Sequence, residues 1–69
     1  MKWATSDPRR QWWIGYDDKD TELFTIDPND DSAGYFVFDM ERGEGESVRD
    51  VRAGKRWAEK RTAGGTVGA

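Results

Sequence analysis

A chain of 69 residues with 14 Asp and Glu against 11 Lys and Arg, net charge −3, has room for one small domain and none for a deep substrate cavity. It contains neither Cys nor His, which removes disulfides, thiolate and imidazole metal sites, and the commonest general base. Hydrophobic residues make up 35% and charged ones 36%, a balance close to that of disordered chains, yet four Trp, two Tyr and three Phe supply enough ring area to close a core.

In chain order, Met1 to Ser6 reads as a short first strand or an ordered arm anchored by Trp3, and Asp7-Pro8 turns the chain because proline restricts the residue before it. Gln11 to Asp17 sets Trp12, Ile14 and Tyr16 against Trp13 and Gly15, the period-2 pattern of a strand with one buried face, here the Tyr16 face. The polar run 17–21 leads into a second strand, Glu22 to Asp27, with Phe24 and Ile26 on one side. Pro28 to Gly34 is a second turn, and Tyr35 to Met40 a third strand with Phe36, Phe38 and Met40 together. Glu41 to Gly45 is then a connector, Ser47 an N-cap with Asp50 three residues on, and Val48 to Arg61 a helix. Val51, Gly54, Trp57 and Ala58 fall on the arc that docks on the sheet. The glycine inside that arc, which costs about 1 kcal/mol relative to Ala, predicts an aromatic ring of the sheet against the helix backbone. The pattern predicts an α+β domain over residues 1–61, a three- or four-stranded antiparallel β-meander with one C-terminal helix on one face, and a flexible Gly-rich tail over 62–69. The expected core is Trp12, Ile14, Tyr16, Phe24, Ile26, Phe36, Phe38, Val51, Trp57 and Ala58.

Charge divides the same way. Residues 1–40 hold nine acidic and four basic side chains, whereas 41–69 hold five acidic and seven basic ones. Asp17, Asp18, Asp20, Glu22, Asp27, Asp30 and Asp31 face a single Lys19 within residues 17–31, which predicts a strongly negative sheet edge. Fixed carboxylates on such an edge stand in for a row of phosphates and suit a basic groove evolved for nucleic acid. The same residues are also good turn formers that keep a small sheet from pairing edge to edge. Asp27, Asn29 and Asp31 occupy the first three ligand positions of an EF-hand-like loop, but Ser32 replaces its Gly and Phe38 its bidentate Glu, so no metal site is expected. Arg9, Arg10, Arg49, Arg52, Arg56 and Lys60 make the alternative surface, a cationic stripe for nucleic-acid phosphates. Adjacent Trp12 and Trp13 point to opposite faces of a strand, which places Trp13, with Tyr35, on an open face suited to a protein partner, unless Trp3 and the N-terminal arm fold across it. Three Ser without His give no nucleophile–base pair, so neither catalysis nor a cofactor is expected. No apolar run is long enough to span a membrane or act as a signal peptide, so a cytoplasmic protein is expected.

The order of strand, hairpin, aromatic strand and Ser-capped helix ending Lys55-Arg56-Trp57-Ala58-Glu59 resembles short proteins encoded by bacteriophages and mobile elements. Among these the chain is similar to anti-CRISPR proteins in length, acidity and lack of catalytic residues. That resemblance implies a non-enzymatic inhibitor or adaptor that docks acidic loops and exposed aromatics on a basic, nucleic-acid-binding protein in the host cytoplasm. The outline is also similar to the arm-type DNA-binding domain of phage integrases, which carries basic residues on strands where this chain has Asp. A homodimer built through an open sheet face is the remaining alternative, so the chain is expected to be a monomer or a homodimer.

Overall fold

The computed structural model describes residues 1–67, with side chains as far as Thr62. Five strands, β1 (Lys2–Ala4), β2 (Trp13–Tyr16), β3 (Glu22–Pro28), β4 (Tyr35–Asp39) and β5 (Glu44–Val48), form an antiparallel meander in sequence order, and α1 (Val51–Val67) follows. The domain is α+β as expected, with five strands where the sequence predicts three or four. The N-terminal segment is a strand, paired with β2 through Trp3 and Gly15. The extra strand is β5, taken from a stretch read as connector and helix start. Its only large apolar residue is Val48, and the rest of it is exposed, so no alternation of polar and apolar residues marks it.

Helix α1 starts later than expected and with a different cap. Ser47 lies in β5, and Asp50 is the cap, its Oδ1 accepting from Ala53 N at 2.7 Å while its carbonyl accepts from Gly54 N at 3.1 Å. The helical backbone continues to Val67, into the segment assigned to the tail, and Gly68 and Ala69 lie outside the described residues. The helix crosses β3, β4 and β5 with Gly54 and Ala58 buried and Val51 and Trp57 half-buried.

The core between the layers is Phe24, Ile26, Val37 and Ala58, ringed by Trp3, Trp13, Leu23, Tyr35, Val48, Val51 and Trp57. Phe24 and Trp57 meet edge to face, centroids 6.2 Å apart at 85°. Gly54 admits the sheet to the helix backbone, but the group that uses the space is aliphatic: a Cβ there would lie 3.1 Å from Ile26 Cδ1.

The register inverts two of the predicted strand faces. Trp13 pairs with Ile26 and Ile26 with Val37, so Trp13, Ile26 and Val37 share the helix-facing side. Phe36, 42% exposed, and the half-buried Phe38 lie on the other side, as do Ile14 and Tyr16 of β2. Both sides of β2 and β4 are apolar, so alternation alone does not choose between them, and a choice wrong by one residue moves every side chain to the opposite face. Trp12, also expected in the core, precedes β2 and is half-buried.

Candidate interaction surface

Pairing carries side chains across the uncovered side of the sheet in two rows. Ala4, Ile14, Thr25, Phe38 and Gly45 form one, from β1 to β5; Asp27, Phe36 and Ser47 form the next. The ring of Phe36 leans over Gly45, where a Cβ would come within 2.5 Å of its Cε2, so the glycine makes the seat on which this ring rests. The centre of the face is therefore aromatic and aliphatic, and Asp27 sits beside Phe36 within it. The aromatic candidates Trp13 and Tyr35 are on the helix side instead, packed against the core. Trp3 is there too, its Nε1 donating to Glu59 at 3.0 Å, so Trp3 does not fold across the open face.

A meander sends successive connections to opposite ends of its strands, and this divides the acidic residues. Asp17, Asp18, Asp20 and Glu22 cluster at the β2–β3 end, beside the β4–β5 turn with Glu41 and Glu44; Asp27, Asp30 and Asp31 belong to the β3–β4 end. The expected continuous negative edge is thus two clusters, separated by the length of β3, roughly 20 Å at a strand rise of about 3.4 Å per residue.

Not all seven carboxylates are available. Asp17 Oδ1 accepts from Lys19 N at 2.8 Å and Thr21 N at 2.9 Å, closing the β2–β3 loop. These bonds, Thr21 first, hold its carboxyl below the ordinary range. Asp20, in the left-handed region at φ 62°, pairs with Lys2 Nζ at 3.2 Å. Asp18, Glu22, Asp27, Asp30 and Asp31 are exposed, and their carboxylates make no hydrogen bond or ion pair among the described residues. Asn29, read as a possible cation ligand, is a loop staple, its Nδ2 donating to Ala33 O and Ser47 Oγ at 3.2 Å each.

The cations divide into fixed and free. Arg61 donates from Nε to Asp39 at 3.2 Å and from Nη2 to Glu44, while its guanidinium carbon lies 4.5 Å from the Trp57 ring centroid. Glu44 first, then Asp39, raise its pKa further. Lys55 Nζ sits 3.5 Å from the Trp13 ring centroid and 5.9 Å from that of Trp3. Arg49, Arg52, Arg56 and Lys60 are all exposed, and among the described residues only Arg49 of these four has a carboxylate within 4 Å, that of Asp50 at 3.8 Å. Arg9 and Arg10 lie in the β1–β2 connection, where Asp7 accepts from Gln11 N at 2.9 Å and Arg9 N at 3.1 Å and the Trp13 indole donates to Arg10 O at 3.0 Å. Those two backbone bonds, Gln11's the larger, lower the Asp7 pKa.

No family model, curated protein or solved structure matches this chain. The surface is accordingly read from its own chemistry. Asp39, 4% exposed, is the functional-looking residue that sequence reasoning passed over; it accepts from Glu41 N, Arg42 N and Arg61 Nε, joining the β4–β5 turn to the helix. A carboxylate at the end of an aromatic strand was its only signal. No helix among the described residues is long and apolar enough to cross a membrane.

Proposed function

We propose that this chain is a non-enzymatic binding protein that docks its open sheet face on a basic, nucleic-acid-handling protein, as an inhibitor or adaptor in the cytoplasm of a host cell. The observation that carries this reading is the apolar patch around Phe36 and Phe38, with unneutralised Asp27 inside it and free carboxylates at both ends of its strands. An aromatic centre with a charged rim is the composition of a protein-binding surface. Charge selects the occupant. A second copy laid face to face would bring Asp27 and the acidic strand ends of both copies together, and like charges opposed across an interface cost several kcal/mol. A basic rim on the partner removes that cost. The resemblance to anti-CRISPR proteins implies the same kind of partner.

The reading predicts that reversing Asp18, Asp30 and Asp31 to Lys weakens partner binding about tenfold or more, whereas reversing Arg49, Arg52 and Arg56 leaves it within about threefold. Asp17 is excluded from the set because its carboxylate closes the loop. Equal losses from both sets would contradict the assignment.

A further inference from the structure

The side of the molecule away from the open sheet face carries a second charged surface, and it is positive. Between Arg49 and Arg61 the chain has six cations and two carboxylates. Both carboxylates are engaged, Asp50 as the helix cap and Glu59 as acceptor from Trp3 Nε1. Two of the cations, Lys55 and Arg61, are held against tryptophan rings and contribute to the packing of the helix. The other four have no such role. Arg52, Arg56 and Lys60 recur at a spacing of four residues, so they stand in a column on one helix face, and Arg49 lies just ahead of the Asp50 cap at its N-terminal end. Arg52, Arg56 and Lys60 have no carboxylate within ion-pair distance among the described residues.

The β1–β2 connection is tied to the flank of the same helix. The Trp13 indole accepts the Lys55 ammonium on its ring and donates its N–H to Arg10 O, so one side chain ties the helix flank to the loop that presents Arg9 and Arg10. Arg10 takes φ 54°, a conformation that costs a non-glycine residue about 1 kcal/mol or more. Glycine or asparagine suits it better.

From these observations we infer that the outer face of α1 is a binding surface for the phosphate backbone of nucleic acid, on the side of the molecule opposite the protein-docking face. The column from Arg52 to Lys60 is roughly 12 Å long at about 1.5 Å per residue. One strand of a duplex presents about three to four phosphates over that length, about one per 3.4 Å, and Arg49 adds a fourth cation at its end. The side chains bind without base readout, because a single row of cations on a convex helix reaches phosphates and carries no bidentate base contact. Taken with the proposed function, on which this last step rests, two opposed surfaces make the protein an adaptor that holds nucleic acid alongside its partner. The nucleic-acid surface itself is independent of that step.

The test uses the isolated full chain, with no partner present, so its failure leaves the sheet-face reading untouched. Anisotropy of a labelled duplex of about 20 bp should report binding at about 20 mM salt, with log K falling against log salt at a slope of about −3 to −4, as four displaced counterions require. The variant R52Q/R56Q/K60Q, checked for an unchanged circular dichroism spectrum and urea midpoint, should lower the slope magnitude by about 2 to 3. D18N/D30N/D31N should bind the duplex at least as tightly as the parent. Absence of binding at low salt, or an unchanged slope in the triple cation variant, overturns the inference. So does binding of polyglutamate through the same three cations without binding of duplex, which would make the face a site for acidic polypeptide.

Discussion

Ile26 and Phe36 lie on neighbouring strands with opposite fates. Ile26 is fully buried beneath the helix backbone at Gly54, and Phe36 is 42% exposed above Gly45. Ile26→Ala should cost about 2 to 5 kcal/mol by removing packed methylenes and leaving a cavity. Phe36→Ala should cost less than about 1.5 kcal/mol, because much of the ring is in water already. Urea unfolding of the two variants measures the difference, and a Phe36→Ala cost equal to that of Ile26→Ala would mean that the faces of β4 are reversed. Asp7 and Asp17 give a second prediction at this scale. Both carboxyl pKa values are lowered by backbone N–H donors, so each residue favours the folded loop above the ordinary carboxylate pKa, and that contribution is lost as pH falls through the lowered native value. The amide resonances of Gln11 and Thr21 should therefore titrate with midpoints below about 3.9, the unperturbed Asp value. Midpoints at or above it would show that these bonds are not formed in solution.

At the level of elements, the helix and the three central strands were legible because each has strong periodicity or dense β-branched and aromatic content. The sheet-facing arc of Val51, Gly54, Trp57 and Ala58 follows from a 100° step per residue, which turns Trp57 toward the sheet while leaving Arg52, Arg56 and Lys60 in water. Face selection in β2 and β4 was not legible. Tyr35, Val37 and Asp39 are individually less hydrophobic than Phe36, Phe38 and Met40, yet they face the helix. One physical reason is Asp39, whose carboxylate must reach Arg61 on α1 while capping the turn to β5, and a long-range pair of that kind leaves no local trace in the sequence. The helix also lies close to the sheet at Gly54, where the small Val37 fits in the row beside Ile26. Strand β5 was hidden for a different reason: as an edge strand whose only large apolar residue is Val48, it has Glu, Gly and Ser where a pattern would need alternation. The close approach at Gly54 is testable. Gly54→Leu should destabilise the domain by about 1 to 3 kcal/mol, despite a gain in helix propensity, because Ile26 has no room to retreat. A Gly54→Leu variant as stable as the parent would place the helix farther from the sheet.

Across the whole molecule, the candidate site was only partly legible. Residue types were visible in the sequence, but the meander separates into two clusters the carboxylates that adjacency in sequence joins, and it exchanges Trp13 and Tyr35 for Phe36 and Phe38 on the open face. The result is a two-sided molecule in which an apolar sheet face with acidic strand ends backs onto a basic helix. Salt should weaken contacts made by both sides, whereas only the sheet side retains an apolar contribution at high ionic strength. The decisive measurement is quantitative recovery of partners from nuclease-treated bacterial lysate on three baits: the parent chain, the open-face variant F36S/D27K, and the helix variant R52Q/R56Q/K60Q. A basic, nucleic-acid-handling protein should be recovered by the parent and the helix variant and lost on F36S/D27K. Equal recovery of that protein on the parent and F36S/D27K, or its loss on the helix variant alone, would contradict docking through the open sheet face.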